Sequence, residues 1–482
     1  MKKKVLLIAP PHYFKLRLDY LSSNLGLGYI AAFLEKHGHE VRFIDALVEG
    51  MNTSEVVSTR LQKAKRIGLS YKDIIARIPR DTDFIGITAP FSGHDKIVRE
   101  LTENIKNAYE CIPIVVGGGL PSILRKTVFY ESVDFLICGE GEIPMLSLVE
   151  GKPPEDIQGV IFRKDGIIMD NGQAEQIRDL DTIPFPARHL MNMDKYLYFS
   201  NRGRTKKRTT SIITSRGCPF DCTFCSVHSI CGYRYRKRTP ENLISEIKQL
   251  VDEYGVEHLL FDDDNMTLDS HRMIKFLDML IDNNFGCTWE ASSGVKVDTL
   301  NQLMLEKMKK SKVKKLCIAV ESGDEKILKL MNKKVNLEKA VKTIEICHQL
   351  GISTEVFFIT GFPGETDESF KCTLKYAQRL KRAGVGGFNF FPLRMDPNTR
   401  LYRECKEKGY LLHEYSEDIL LPGEFRYIQT EDLTPTIIER RAQRAMAKLN
   451  LPVLIYYIKM ILYKIIPSKV RNYLSTYLMN AD

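Results

Sequence analysis

Residues Ser211–Cys225 read SIITSRGCPFDCTFC. Ser211–Ser215 predicts a short strand, and the loop directly after it carries Cys218, Cys222 and Cys225 in the spacing C-x3-C-x2-C. A loop that follows a strand in a βα series lies at the C-terminal mouth of a barrel, where active sites are built. Three thiolates on one loop can hold three irons of a [4Fe-4S] cube and leave the fourth iron without a protein ligand. An open metal position is what a catalytic centre needs. Spacing alone also permits a structural zinc site or a closed four-ligand cluster, because His228 and Cys231 follow closely.

Working outward, a βα series surrounds this loop. Strands are predicted at Ser211–Ser215, His258–Phe261, Thr288–Ala291, Leu316–Glu321, Ser353–Ile359 and Gly387–Phe391, with helices at Pro240–Tyr254, His271–Asn283, Leu300–Lys310 and Asp367–Ala383. These units fill about 185 residues, which fits an open, partial (β/α)6 TIM-like barrel; a closed eight-unit barrel needs ~250 residues. Residues 207–425 are assigned to it. Upstream, residues 1–150 alternate apolar strands (Val5–Ala9, Val41–Ile44, Phe84–Thr88, Ile114–Val116, Phe135–Cys138) with helices at Leu27–His37 and Lys96–Tyr109. Short apolar strands separated by helices indicate a doubly wound, Rossmann-like parallel sheet. Residues 151–206 read as a linker with a small hairpin (Gly159–Arg163, Ile167–Asp170) and an extended stretch at Thr182–Ala187. Residues 426–482 read as helical, with a strong charged face on Pro435–Leu449. The fold class is α/β throughout, apart from this tail.

The chain has 482 residues, 44% hydrophobic and 27% charged, the profile of a soluble protein of two or three domains. The net charge is +9, with basic clusters at 206–208, 234–238 and 309–315. Only Tyr233 and Tyr235 interleave with them, which argues against a single-strand nucleic-acid binder. Most of the eleven cysteines, such as Cys138, Cys317 and Cys347, sit singly in apolar runs, as free thiols of a reducing compartment do. The apolar run Val5–Ala9 is too short for a signal peptide, so a cytoplasmic location is expected. Pro452–Pro467 is too short and too charged to span a bilayer. It reads either as a helix packed on the barrel or as an in-plane amphipathic segment that contacts the membrane peripherally and reaches a lipid.

The cysteine loop resembles the signature of the radical S-adenosylmethionine superfamily, down to aromatic Phe224 before the last cysteine. The resemblance extends through Phe261–Asn265 (FDDDN), Glu321–Gly323 (ESG), Phe358–Thr366 (FITGFPGET) and Pro397–Thr399, where Asn398 replaces a common glycine. It implies a cluster held by the three cysteines, whose open iron chelates S-adenosylmethionine and whose electron splits the sulfonium to a 5′-deoxyadenosyl radical. An external donor of flavodoxin or ferredoxin type is implied as the electron source. Asp263 or Asp264 is expected to accept hydrogen bonds from the α-ammonium group. Glu321 or Ser322 is expected at the ribose, and the Gly361–Gly364 turn at the adenine. Read singly, the aspartates and Glu365 also serve as helix caps or first-turn acids.

The first domain is similar to the cobalamin-binding domain of one branch of that superfamily, through NLGLGYIAA (Asn24–Ala32), HGHEVRFID (His37–Asp45), GGGLPS (Gly117–Ser122), GEGE (Gly139–Glu142) and the LDTIPFPA of the linker. Expected cobalamin contacts are Asn24, Leu25, Gly26, Thr88, Gly117, Gly118, Gly119, Leu120 and Glu140. Leu120 stands where relatives often carry His, so the lower face of the cofactor is expected to meet Leu120 or water. Arg216 and the 234–238 cluster are expected to pair with anionic parts of cofactor or substrate. The branch implies a C-methyltransferase that acts on a small molecule or lipid through the deoxyadenosyl radical and methylcobalamin. Alternatives are a cyclase, rearranging or oxidising enzyme without methyl transfer, and a non-catalytic iron–sulfur protein. The sequence assigns no catalytic acid or base and no oligomeric state.

Overall fold

The computed structural model describes residues 1–15, 21, 23–199, 207–423 and 428–450. The tail segment Pro452–Pro467 lies outside the described residues. In the first half, the strands are β1 (Lys4–Ala9), β2 (His12–Phe14), β3 (Glu40–Asp45), β4 (Ser54–Ser58), β5 (Lys63–Ile67), β6 (Phe84–Thr88), β7 (Ile114–Gly117), β8 (Phe135–Ile137), β9 (Val160–Lys164) and β10 (Ile167–Asp170). The sheet order is β10-β9-β8-β7-β6-β1-β3. The five strands from β8 to β3 are mutually parallel, and their direction of winding reverses between β1 and β6. That reversal opens a crevice at the strand ends, where open α/β sheets bind ligands.

Two features were not legible in the sequence. The hairpin assigned to the linker extends the first sheet, since β9 pairs antiparallel to β8 with Phe135 opposite Phe162. Val160–Phe162 are buried, so the hairpin closes an edge of the sheet. A small antiparallel sheet, β2-β5-β4, also projects from the domain. Its strands are polar and half exposed, so they give no apolar alternation to read.

The second half contains β11 (Thr209–Ile212), β12 (Ser215–Arg216), β13 (Arg236–Lys237), β14 (His258–Phe261), β15 (Thr288–Val295), β16 (Val313–Glu321), β17 (Ser353–Thr360) and β18 (Gly387–Pro392). Six strands make one parallel sheet in the order β11-β14-β15-β16-β17-β18, an open barrel wall with sequential neighbours. The predicted first strand divides. Thr209–Ile212 pairs in the wall, while Ser215–Arg216 leaves it to pair with Arg236–Lys237. This two-stranded ribbon brackets the cysteine loop. The helix Leu337–Gln349 was not singled out from sequence, although Ala340, Val341, Ile344 and Cys347 form its buried stripe. The helix Pro435–Leu449 covers the free edge at β18: Asn450 accepts from the Phe388 N–H at 3.1 Å and donates to its carbonyl at 2.7 Å. Pairing an edge in this way removes a site for unwanted strand addition.

Candidate functional site

The cysteine loop is fixed from several sides. Gly217, at φ +83°, makes the turn into Cys218, and a Cβ there would lie 2.4 Å from the Arg234 carbonyl, so only glycine fits. Thr223 N–H donates to Met331 O at 3.0 Å, and Leu401 N–H donates to Thr223 O at 3.0 Å. Phe224 packs into an apolar cluster with Phe362 and Met395. Burial raises the Cys218 and Cys222 thiols and pushes Cys225 up to about 12. Such thiols stay protonated until a metal replaces the proton, which is the chemistry of a cluster ligand. His228 is engaged elsewhere: its Nε2 contacts the Cys218 carbonyl at 3.0 Å, and its ring stacks on Tyr233.

The predicted partners of S-adenosylmethionine fall into three groups. Asp263 is buried, and its Oδ1 accepts from Thr214 N–H, Thr214 Oγ1 and Ser215 Oγ at 2.9, 2.8 and 2.6 Å. Its Oδ2 and the Oδ1 of Asn265 are buried without partners. The orphaned oxygen of Asp263, a carboxylate tied to the start of the cysteine loop, is the kind of acceptor that suits a cationic ammonium donor. Glu321 adopts φ +72°, a conformation rare outside glycine, at a bulge between β16 and β17. It pairs with Lys333 at 3.0 Å. Burial works to lower Lys333, but the negative charge of Glu321 and the hydrogen bond to it outweigh burial and leave the amine raised. Ser322 and the glycine turn are used internally. The Ser322 hydroxyl bonds Thr373 and accepts from Asp324 N–H. A Cβ on Gly361 would meet Ile438 at 2.8 Å, and one on Gly364 would meet Leu330 at 2.9 Å. Close packing by the helix Pro435–Leu449 and a φ of +88° both call for glycine at 361.

Against this loop lies a cavity of about 280 Å³. It runs down one face of the first sheet, between that face and the helices Leu25–Lys36 and Glu142–Val149. Gly26, Thr88, Gly117, Gly118 and Glu140 line it, and so do Ser215, Arg216, Ile230, Cys231 and Asp264 from the second half. A Cβ on Gly26 would meet nothing within 4 Å, and one on Gly117 only Ile137 at 3.8 Å, so the missing side chains are what keep the cavity open. This cradle fits a large cofactor inserted in part; at the low end of ligand-pocket volumes (about 300–1,000 Å³) it does not enclose one whole. Burial and the Asp263 carboxyl push Asp264 up to about 6.

The other expected contacts stand away from the cavity. Asn24 donates to Asp45 and to Tyr196 OH at 3.0 Å each. Leu25 packs with Tyr29 and Ile177. Gly119 lies against the Pro90 carbonyl, where a Cβ would sit 2.3 Å from the oxygen. Leu120 is fully buried in the core of the first domain and does not line the cavity, so the expected meeting of Leu120 with a cofactor face is not what this geometry offers. The arginines expected to meet anionic ligands meet the protein's own carboxylates. Arg236 grips Glu140 through two bonds of 2.8 and 2.6 Å, Arg216 bonds Glu142 at 2.7 Å, and Arg238 pairs with Glu246. Sequence reading missed Glu142, Gly139, Gly141, Cys231 and Asp262 as cavity residues. The GEGE stretch offered the first three.

Comparison with known proteins bears on this geometry. Residues 212–377 match the radical SAM superfamily, and residues 15–149 match the B12 binding domain. The chain joins a B12-binding domain to a radical SAM domain. Its cofactors are a [4Fe-4S] cluster, S-adenosylmethionine and cobalamin. It is 29% identical to the cytidylyl-2-hydroxyethylphosphonate methyltransferase of Streptomyces wedmorensis, over 86% of this chain and 84% of that one. It is 27% identical to the anaerobic magnesium-protoporphyrin IX monomethyl ester cyclase of Rubrivivax gelatinosus, over 73% of this chain and 61% of that one. Among solved structures, the cobalamin-dependent S-adenosylmethionine radical enzyme OxsB with aqua-cobalamin bound superposes with a TM-score of 0.74 at 16% identity, covering 99% of this chain and 71% of that one. The methyltransferase TsrM from Kitasatospora setae gives 0.66 at 16%, covering 85% and 75%. At these identities the structures establish a shared fold. Among the described residues, no helix is long and apolar enough to cross a membrane.

Proposed function

We propose that the chain is a C-methyltransferase acting on an unactivated carbon of a small molecule. The observation that carries this reading is the shared cavity: glycines at the strand ends of the B12-binding domain and residues flanking the cluster loop wall the same space. When bound, the cluster with S-adenosylmethionine supplies a carbon-centred radical, and cobalamin supplies a transferable methyl group. Cys218, Cys222 and Cys225 hold the cluster. Asp263 Oδ2 receives the ammonium of S-adenosylmethionine, and the Lys333–Glu321 pair fixes the wall beside the thiolates. The bonds from Arg236 and Arg216 to Glu140 and Glu142 close the domains over the cavity and exclude water from the reacting atoms. Reduction of the cluster calls for an external one-electron donor.

The methyltransferase relative extends over most of both chains, which favours methyl transfer. The cyclase relatives support a second reading, radical cyclisation or rearrangement with the same cofactors. The two part on products. The anaerobically reconstituted protein is given S-adenosylmethionine labelled in its methyl group, a reductant and cytidylyl-2-hydroxyethylphosphonate as trial substrate. Equal S-adenosylhomocysteine and 5′-deoxyadenosine with a labelled product are expected. Turnover to 5′-deoxyadenosine and an unlabelled, altered substrate would overturn methyl transfer in favour of the second reading.

A further inference from the structure

The segment that follows β16 brings a cation to the cysteine loop and fastens it there. β16 ends at Glu321 in the left-handed conformation, φ +72°, and the short helix Glu325–Leu330 comes next. That helix closes through Asn332, at φ +52°. Asn332 N–H donates to Lys329 O at 3.1 Å, and Lys333 N–H donates to Leu328 O at 2.9 Å. The two bonds satisfy carbonyls that a helix end leaves open, and they turn the chain so that Lys333 points back toward the strand. Asparagine accepts the left-handed region readily. Glutamate does not, and such strain persists only where the surroundings over-determine it.

Here the surroundings do so. Four consecutive residues after the helix are each tied down. Met331 O accepts from Thr223 N–H at 3.0 Å, and Asn332 Nδ2 donates to Asp221 O at 2.6 Å. Lys333 Nζ pairs with Glu321 at 3.0 Å, and Lys334 O accepts from Lys296. Asp221 and Thr223 flank Cys222, so the segment is stitched to the cysteine loop on both sides of one cluster ligand. The Lys333 and Glu321 side chains are 14% and 10% exposed. At the Cys222 thiol the charge of Lys333 outweighs that of Glu321, so the positive end of the pair is the nearer one. A buried ion pair adds little stability over apolar side chains of the same volume. Two left-handed residues and four tethers exceed what packing requires, but they control where the ammonium lies.

We propose that Lys333 sets the reduction potential of the cluster: its ammonium, held against the cysteine loop, favours the reduced state, and Glu321 limits the effect by offsetting part of the charge. A [4Fe-4S] core with three thiolates is an anion, and one electron from the external donor makes it more negative without forming or breaking a bond. Net charge around such a cluster is one of the quantities that set its potential. A fixed cation acts more strongly in a buried site than in water. The inference goes beyond the methyl-transfer reading and needs only the cluster, so either can fail without the other.

The test uses the full chain, reconstituted anaerobically with iron, sulfide and cobalamin and without S-adenosylmethionine. The cluster is titrated with a chemical reductant at set solution potentials, and its reduced form is read by electron paramagnetic resonance. At the midpoint of the unaltered protein, Lys333→Met should lower the ratio of reduced to oxidised cluster about 10-fold, equivalent to ~59 mV for one electron. Glu321→Gln keeps an acceptor for the lysine but loses the negative charge, so it should shift the ratio the opposite way. Lys333→Arg should stay close to the unaltered protein. The other charges that act on the loop, Lys296 and Asp264, are the same in every variant. Iron per chain, measured on each sample, identifies variants that hold the cluster. Lys333→Met with full iron and an unchanged potential would overturn the proposal, even if it bound S-adenosylmethionine more weakly, because the lysine would then serve that ligand instead. Shifts of the same sign in Lys333→Met and Glu321→Gln would overturn it too, by assigning both to a disturbed loop. If Lys333→Met fails to retain iron, Glu321→Gln decides alone: a raised potential supports the proposal, and an unchanged or lowered one sinks it.

Discussion

Three neighbouring aspartates show how position, not residue type, sets a role. Asp262 lines the cavity while accepting from Ser211 Oγ and Ser292 Oγ, Asp263 ties the cysteine loop to β14 and stays out of the cavity, and Asp264 lines the cavity and accepts from Gly217 N–H. The sequence FDDDN identifies the cluster but not this division of labour, because alternation along an irregular loop has no fixed period. Asp263→Ala leaves three donors without an acceptor, a loss of roughly 1–3 kcal/mol. The thermal midpoint should fall and iron per chain with it; unchanged iron would show that the loop does not depend on this carboxylate. A second buried acid gives a pH signature. Burial pushes Asp45 up to about 7, against its bonds from Val48 N–H and Asn24. A raised carboxyl favours the folded state below its unfolded value of about 4, and the advantage is lost as pH rises through 7. At ~1.4 kcal/mol per pH unit the swing is a few kcal/mol. Asp45→Asn should flatten the stability profile between pH 4 and 7 in urea melts. A profile as steep as that of the unaltered protein would remove Asp45 from the account.

Helices and strands were read well wherever apolar residues recur with a clear period. The helix Pro240–Tyr254, with Thr239 capping Asn242 N–H, and the strands Phe84–Thr88 and His258–Phe261 stand where the sequence puts them. What failed was whatever depends on partners distant in the chain. The glycine runs illustrate this. Three consecutive glycines, Gly117–Gly119, read alike in sequence, but the first two line the cavity and the third packs on backbone. Asn24, Leu25 and Gly26 divide the same way, one in three facing the cavity, as a helix turn requires. A prediction at this scale follows from the open space at Gly26. The Cβ that Gly26→Leu adds meets no atom within 4 Å and the substitution replaces a poor helix former, so the fold should keep its thermal midpoint or raise it by a fraction of the ~1 kcal/mol that glycine costs within a helix. The new side chain projects into the cavity. Cobalt per chain after reconstitution should drop at least ~10-fold while iron is retained. Full cobalt loading in a folded variant would separate cobalamin from this cavity.

At the scale of the molecule, the two domains are joined by buried ion pairs as well as by apolar packing. Glu140, 5% exposed at its side chain, is held by Arg236 on β13 and approached by Arg216 at 3.6 Å. Arg236 also donates to the carbonyls of Ile177 and Cys231. One guanidinium thus touches the B12-binding domain, the linker and the segment that returns from the cysteine loop. Buried pairs of this kind add little net stability over apolar packing, but removing one partner strands the other charge, at about 3–5 kcal/mol. Their use here is orientation, because a bidentate pair fixes angle as well as distance. Arg236→Met should therefore lower the thermal midpoint sharply and reduce cobalt and iron retention together, since both sites share the wall that the pair holds. Adding Glu140→Leu removes the stranded charge. The double variant should regain part of the lost stability, with a coupling of roughly 1–3 kcal/mol, but not the cofactor retention, because the geometric constraint is still absent. Recovery of both would mean that the pair contributes only charge balance. Recovery of neither would place the cost in the Ile177 and Cys231 carbonyls, which lose their donor in either variant.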